Sequence, residues 1–206
     1  MHDIKINCHS SICIDNNIYI DPFKINKRLN NAKLVLITHP HFDHLDIESI
    51  KNIINNQTII ICTNDSKEQL ISNNISEEFI VVINPNENKT INNINVSTFP
   101  SYNINKQFHP KDNNWIGYKI TIDGISYLIC GDSDLTDELK SQTTDVLFVP
   151  IGGTYTMNEL EAANLANIIK PNLVIPVHYG EIVGDKSLED KFIKNLDNSI
   201  NFKIII

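Results

Sequence analysis

A cluster of residues with metal-ligand chemistry directly follows the apolar run at residues 34–37: His39, His41, Asp43 and His44. Side chains at positions 39 and 41 can point the same way in an extended chain. Imidazole nitrogens and carboxylate oxygens suit zinc, and also iron or manganese. Titratable groups at a buried strand end need partners, so the cluster predicts a metal site rather than a solvated histidine-rich loop.

Three further candidates each follow a predicted apolar strand. His109 lies in a loop predicted over residues 100–114, and ordered loops of this length are often functional. Asp132 and His178 come directly after the next candidate strands, at the position where open α/β sheets commonly place their sites. Together with the cluster, these positions account for five of the seven histidines in the chain. We therefore expect all of them to be metal ligands.

Short strands and helices alternate around these residues. Continuous apolar runs at 34–37 and 58–62 predict strands that are buried on both faces. Turn residues predict two hairpins, at Asp15-Asn16-Asn17 and at Asp123-Gly124. A capping-box spacing at 156–159 predicts the start of a helix. The chain closes with a strand predicted over 202–206.

The predicted strands form two groups, one before residue 100 and one after it, with helices interspersed in each. This order predicts an α/β fold and fits a four-layer αββα sandwich with two sheets face to face and helices outside. The pattern alone also allows a three-layer α/β sheet. A length of 206 residues makes a single domain over residues 1–206 the expectation.

Composition narrows the class of partner. The net charge of −8 argues against a dedicated nucleic-acid surface, which normally carries a basic stripe. The start of the chain shows no secretory signal, and no apolar run approaches the ~18 residues of a membrane span. We expect a cytoplasmic protein with reduced thiols, a small-molecule substrate and no membrane or nucleic-acid partner. A homo-oligomer is left open.

The order HxHxDH, then a distant His, an Asp and a His, resembles the metallo-β-lactamase superfamily over nearly the whole chain. The first motif matches at His39, His41, Asp43 and His44, and the others match at His109, Asp132 and His178. The chain is also similar to a branch of small prokaryotic hydrolases like the ascorbate-6-phosphate lactonases. The segments that carry this likeness are residues 8–11, 101–106, 131–134, 150–157 and 176–180.

The resemblance implies the αββα fold and two adjacent divalent metal ions, with zinc expected and manganese or iron as alternatives. His39, His41 and His109 would hold the first ion, Asp43, His44 and His178 the second, and Asp132 would bridge them. A metal-activated hydroxide would then hydrolyse a small ester, lactone or phosphoester.

Other residues near the predicted ligands are candidates for catalysis or substrate contact. We expect Asp43 to orient the nucleophile and to take its proton. Tyr179 follows a predicted ligand and is a candidate donor to an oxyanion, with a packed aromatic as the alternative. Tyr102 and Lys106 are candidates to meet an anionic substrate, although a solvated side chain is the more usual role for a lysine in a loop. His9 is either a hydrogen-bonded residue at a strand end or a contact to substrate or to a ligand.

Three rival functions remain open at this point. A nuclease or RNA-processing phosphodiesterase would use the same metals, but the acidic balance counts against it. An iron-dependent oxygenase shares the fold. The di-iron redox relatives, however, resemble one another in an HxExD motif, and this chain has His41 at the position of its glutamate. A metal-binding protein without turnover is the non-catalytic alternative.

Overall fold

The computed structural model describes residues 2–205, which form two compact units, residues 2–83 and 84–205. A single domain over residues 1–206 stays a prediction. The terminal residues Met1 and Ile206 lie outside the described part, so the last position of the predicted closing strand is not described.

The N-terminal unit, over residues 2–83, contains a six-stranded sheet in the order β1-β2-β3-β4-β5-β6. The first three strands are antiparallel neighbours, and β3 to β6 run parallel. Its elements are β1 (Ile4–Ile6), β2 (Ile12–Ile14), β3 (Ile18–Ile20), β4 (Leu34–Leu36), α1 (Ile47–Ile53), β5 (Ile59–Cys62), α2 (Asn64–Ser72) and β6 (Ile80–Val82).

Strand β4 is central in this sheet and buried along its whole length. One core cluster joins its Val35 to Ile60 of β5, to Ile50 and Ile53 of α1 and to Leu70 of α2. The continuous apolar runs predicted these doubly buried parallel strands correctly. Burial of both faces fixes where β4 ends, and therefore where the predicted metal ligands begin.

The C-terminal unit, over residues 84–205, contains a seven-stranded sheet in the order β13-β12-β11-β10-β9-β8-β7. Strands β10 to β13 run parallel, and β7 to β10 are antiparallel neighbours. Its elements are β7 (Asn88–Ile91), β8 (Ile94–Pro100), β9 (Ile116–Ile122), β10 (Ile125–Ile129), α3 (Asp137–Lys140), β11 (Val146–Pro150), α4 (Glu159–Ile169), β12 (Leu173–Val177), α5 (Ser187–Lys194) and β13 (Asn201–Phe202).

Several details of the sequence prediction are corrected. The strands do not divide at residue 100, because β8 pairs antiparallel with β9 and so belongs to the second sheet. The helix α4 does have a capping box, but its residues are Asn158 and Glu161 rather than 156–159. Strand β7 was not predicted. It is joined to β8 by Asn92-Asn93, both with positive φ, a two-residue turn without the glycine that usually signals one.

Candidate metal centre

The carboxyl end of β4 positions the four-residue cluster in the N-terminal unit. The chain turns between Leu36 and Asp46, and the Asp46 side chain then caps α1 by accepting from the Glu48 backbone N–H. His39, Asp43 and His44 are buried in this short turn, and His41 is half-buried. Two fixed ends, a buried strand and a capped helix, therefore confine the cluster to one edge of the sheet.

Within the cluster, His39 and His41 form one pair of candidate ligands. The His39 Nε2 and His41 Nδ1 atoms lie 3.0 Å apart, and the ring planes are almost perpendicular. Nitrogens this close can both bind one cation, because Zn–N distances are about 2.0–2.1 Å.

A second group in the same unit consists of His9, Asp43 and His44. One donor atom from each lies within 4.8 Å of the others. The Asp43 Oδ2 atom is 3.2 Å from His9 Nε2 and 3.6 Å from His44 Nε2. His9 reaches this group because the β1–β2 turn lies at the same sheet edge as the ends of β3 and β4.

The buried carboxylate of Asp21 fixes the proton positions of two imidazoles. Its Oδ2 atom accepts from His44 Nδ1 and from the Thr38 hydroxyl, each at 2.8 Å. Since the Thr38 hydrogen is used in this bond, the Thr38 oxygen accepts from His39 Nδ1 at 2.9 Å. Both His39 and His44 then present Nε2 as the lone-pair nitrogen, the arrangement that outer carboxylates impose on metal-binding histidines. Burial raises the pKa of Asp21, and the hydrogen bonds from His44 and Thr38 act against that rise.

In the C-terminal unit the candidate ligands come from three separate loops at one sheet edge. His109 lies between β8 and β9, Asp132 follows β10, and His178 follows β12. All three are buried. The His178 Nε2 and Asp132 Oδ2 atoms lie 3.1 Å apart, and donor atoms of His109 and Asp132 lie within 4.8 Å. The His109 ring packs edge-on against Trp115, with 4.3 Å between the centroids.

The donor chemistry in each unit fits a divalent metal ion. Buried imidazoles stand beside buried carboxylates in both units, and the nitrogen and oxygen atoms are close enough to share a cation. These atom types suit zinc, and also iron or manganese. Burying such groups is costly unless they are paired or coordinate a metal.

Comparison with known proteins agrees with this donor chemistry. A family described as "Beta-lactamase superfamily domain" matches residues 4–178, a stretch that contains every candidate ligand. The chain belongs to the metallo-β-lactamase superfamily. A UPF0173 metal-dependent hydrolase of Thermococcus onnurineus is 28% identical over 82% of this chain and 86% of its own length.

Solved structures support the same family. A structure from Parabacteroides distasonis, described as a metal-dependent hydrolase, superposes with a TM-score of 0.83 at 27% identity, covering 98% of this chain and 92% of that one. Igni18, a metallo hydrolase of Ignicoccus hospitalis, superposes at 0.76 with 20% identity over 98% of this chain and 94% of its own, a likeness in fold. The predicted metallo-β-lactamase fold and the predicted metal-dependent hydrolase are thereby confirmed.

The side chains predicted to contact substrate form hydrogen bonds or ion pairs with other residues of this chain. The buried Tyr179 hydroxyl donates to Glu189 Oε1 at 2.9 Å, and burial together with this bond raises the pKa of Tyr179. Lys106 forms an ion pair with Asp134. The Tyr102 hydroxyl donates to Glu138 at 2.8 Å. The catalytic role of Tyr179 stays a prediction.

Two residues with clear roles in the geometry were not among the predicted metal ligands. Asp21 follows the strand Ile18–Ile20 and is noticeable in the sequence only as a turn before Pro22. His9 has φ of 53° in the β1–β2 turn, and its sequence signal was the segment at residues 8–11 that resembles relatives. Cys130 is buried, and burial raises the pKa of its thiol.

No helix within residues 2–205 combines the length and the apolar character that crossing a membrane would require.

Proposed function

We propose that this protein hydrolyses a small ester, lactone or phosphoester at a binuclear metal centre. His39, His41 and His109 would hold one ion, Asp43, His44 and His178 the other, with Asp132 between them. Zinc is the proposed metal, and manganese and iron are the alternatives. The observation that carries the proposal is the close approach of donor atoms in both units, at 3.0 Å for His39–His41 and 3.1 Å for Asp132–His178.

When bound, such ions would supply a water of lowered pKa and a Lewis acid. The contributions of the protein follow from its own contacts. Asp21 holds His44 and, through Thr38, His39 with Nε2 available. The Asp43 side chain is buried, and its Oδ2 atom lies 3.2 Å from His9 Nε2. We propose that Asp43 accepts the proton of the nucleophile and that the neighbouring His9 is the next group to which this proton can pass.

Other parts of the proposal rest on composition. The net charge of −8 favours a small-molecule substrate over a nucleic acid. We also propose a cytoplasmic location with no membrane partner, and a homo-oligomer as the alternative to a monomer.

The test combines elemental analysis with a substrate screen. The purified protein would be analysed for zinc, manganese and iron, then stripped, reloaded with each metal, and assayed on esters, lactones and phosphodiesters. We expect turnover to disappear on stripping and to return with metal. Full activity in the stripped protein would contradict the proposal. Turnover of RNA together with RNA affinity would favour the nuclease, and oxygen consumption by the iron form would favour the oxygenase.

A further inference from the structure

In the C-terminal unit, Asn103 connects the two segments that carry His109 and Asp132. Its backbone N–H donates to the His109 carbonyl at 2.7 Å. Its side-chain Nδ2 donates to the Asp132 carbonyl at 3.2 Å and to the Tyr155 carbonyl at 2.9 Å. The side chain is buried, with 6% of the residue exposed. One residue therefore contacts the backbone of both candidate ligands.

The orientation of the Asn103 amide is fixed by its surroundings. Besides the two carbonyls, Nδ2 faces Asp134 Oδ1 at 3.4 Å, so every contact on this side is an oxygen. Only the NH2 group can donate to oxygens, and the carbonyl must point the other way. Within residues 2–205 the buried Oδ1 atom has no hydrogen-bond donor. A buried acceptor left without a donor destabilises the folded state, so stability alone does not explain an amide at this position.

Further bonds hold the same two segments together on either side of that asparagine. Asp134 Oδ2 accepts from the Ile104 backbone N–H at 2.9 Å, and Asp134 also pairs with Lys106. The Ser101 hydroxyl donates to the Cys130 carbonyl at 2.9 Å. The loop after β8 is thus attached to the turn after β10 over several residues, with Asn103 at the point where both ligand backbones meet.

We propose that Asn103 is a positioning residue for the metal centre. It holds the backbones of His109 and Asp132 so that the imidazole and the carboxylate keep their spacing before metal arrives. Donor atoms of these two residues lie within 4.8 Å. This inference rests on the proposed function, since it concerns the same ligands.

The test uses two substitutions with a matched pair as control. Asn103→Ala removes the donor, and Asn103→Asp keeps the shape but places an oxygen against three oxygens. Both should weaken zinc binding by about 10–100-fold, as substitutions of outer ligand partners do. The visible spectrum of the cobalt-loaded protein should change, and kcat should fall while KM stays constant. Asn167→Ala and Asn167→Asp should alter none of these, since Asn167 ties Asn195 and Asp197 instead.

The outcomes separate this inference from the proposed function. Wild-type zinc affinity and cobalt spectrum in both Asn103 variants would overturn the inference, even if their thermal stability fell. Failure of both metal-free Asn103 variants to fold, with both Asn167 variants folded, would also overturn it, because the role would then be structural. Loss of metal in Asp132→Ala but not in the Asn103 variants would reject this inference alone. Retention of metal in Asp132→Ala would reject the proposed centre itself.

Discussion

The two units of the chain assemble their candidate ligands in opposite ways. In the N-terminal unit four of them lie within six consecutive positions after one strand, between the end of β4 and the cap of α1. In the C-terminal unit they are spread from residue 109 to residue 178 on three loops. The first arrangement is specified by local sequence, whereas the second depends on strands β8, β10 and β12 ending at the same edge.

The supporting contacts differ in the same sense. In the N-terminal unit a carboxylate, Asp21, binds imidazole N–H groups directly or through Thr38 and so sets proton positions. In the C-terminal unit an amide, Asn103, binds the backbones of the ligands and so sets their spacing. Substitutions in the two units should therefore damage the centre by different routes.

The largest effects should come from ligand removal, and they should be equal in the two units. His41→Ala and Asp132→Ala should each reduce turnover by more than the about 100-fold upper limit typical of outer-partner substitutions. Metal content by elemental analysis should fall in both. Full metal content and activity in either variant would contradict the proposed centre.

Asp21→Asn should have the next largest effect. The substitution places an amide among groups that donate to Asp21, so His44 Nδ1 loses its acceptor and the Nε2 proton position is no longer fixed. We expect zinc affinity to fall by about 10–100-fold. Zinc titration of the metal-free protein measures this.

Asp145→Asn is the matched control for that substitution. Asp145 accepts from the Ser126 backbone and hydroxyl, away from the ligand loops. If Asp145→Asn lowered zinc affinity as much as Asp21→Asn, the role assigned to Asp21 would be wrong.

Gly152→Ala should show how closely the C-terminal ligand loops are packed. An added Cβ would lie 2.4 Å from the His178 carbonyl oxygen and 2.5 Å from a Val183 methyl group. The backbone must shift, which costs about 1–3 kcal/mol in the free energy of unfolding. Because His178 would move, zinc affinity should fall too. Denaturant unfolding and zinc titration would measure both.

Gly124→Ala provides the comparison for Gly152→Ala. The site is open but has φ of +80°, so backbone strain of about 1–3 kcal/mol is expected there as well. Zinc affinity should not change. Equal effects of the two alanines on zinc affinity would mean that crowding at His178 is not the cause.

The smallest effect concerns the ion pair between Lys111 and Glu138, which attaches the His109 loop to α3. The hydrogen bond from Lys111 holds the pKa of Glu138 down, to about 2. A lowered pKa in the folded state means that this stability is present above about pH 4.3 and is lost as the pH falls towards 2. Since the pair is partly exposed, solvent screens the attraction and its contribution to stability is small.

A double-mutant cycle with Glu138→Gln and Lys111→Met would measure that coupling. We expect a coupling free energy in urea unfolding at pH 7 and its disappearance near pH 2. A coupling that did not change with pH would show that the Glu138 carboxylate is not the group responsible.

The sequence by itself determined the local features of this protein. The apolar run before His39 predicted a buried strand and its end, Asp123-Gly124 predicted the β9–β10 hairpin, and the ligand order predicted the superfamily. Each of these is encoded within a short stretch, by burial of both faces of a strand or by the positive φ that a tight turn requires.

Tertiary structure alone decided which distant residues meet. The assignment of β8 to the second sheet depends on its pairing with β9 across the long loop, which no local pattern records. Asp21 contacts His44 because β3 and β4 are parallel neighbours, and Asn103 contacts Asp132 because β8 and β10 end at one edge. The physical reason is that strand order brings together side chains far apart in the chain, and strand order is fixed by packing of the whole sheet.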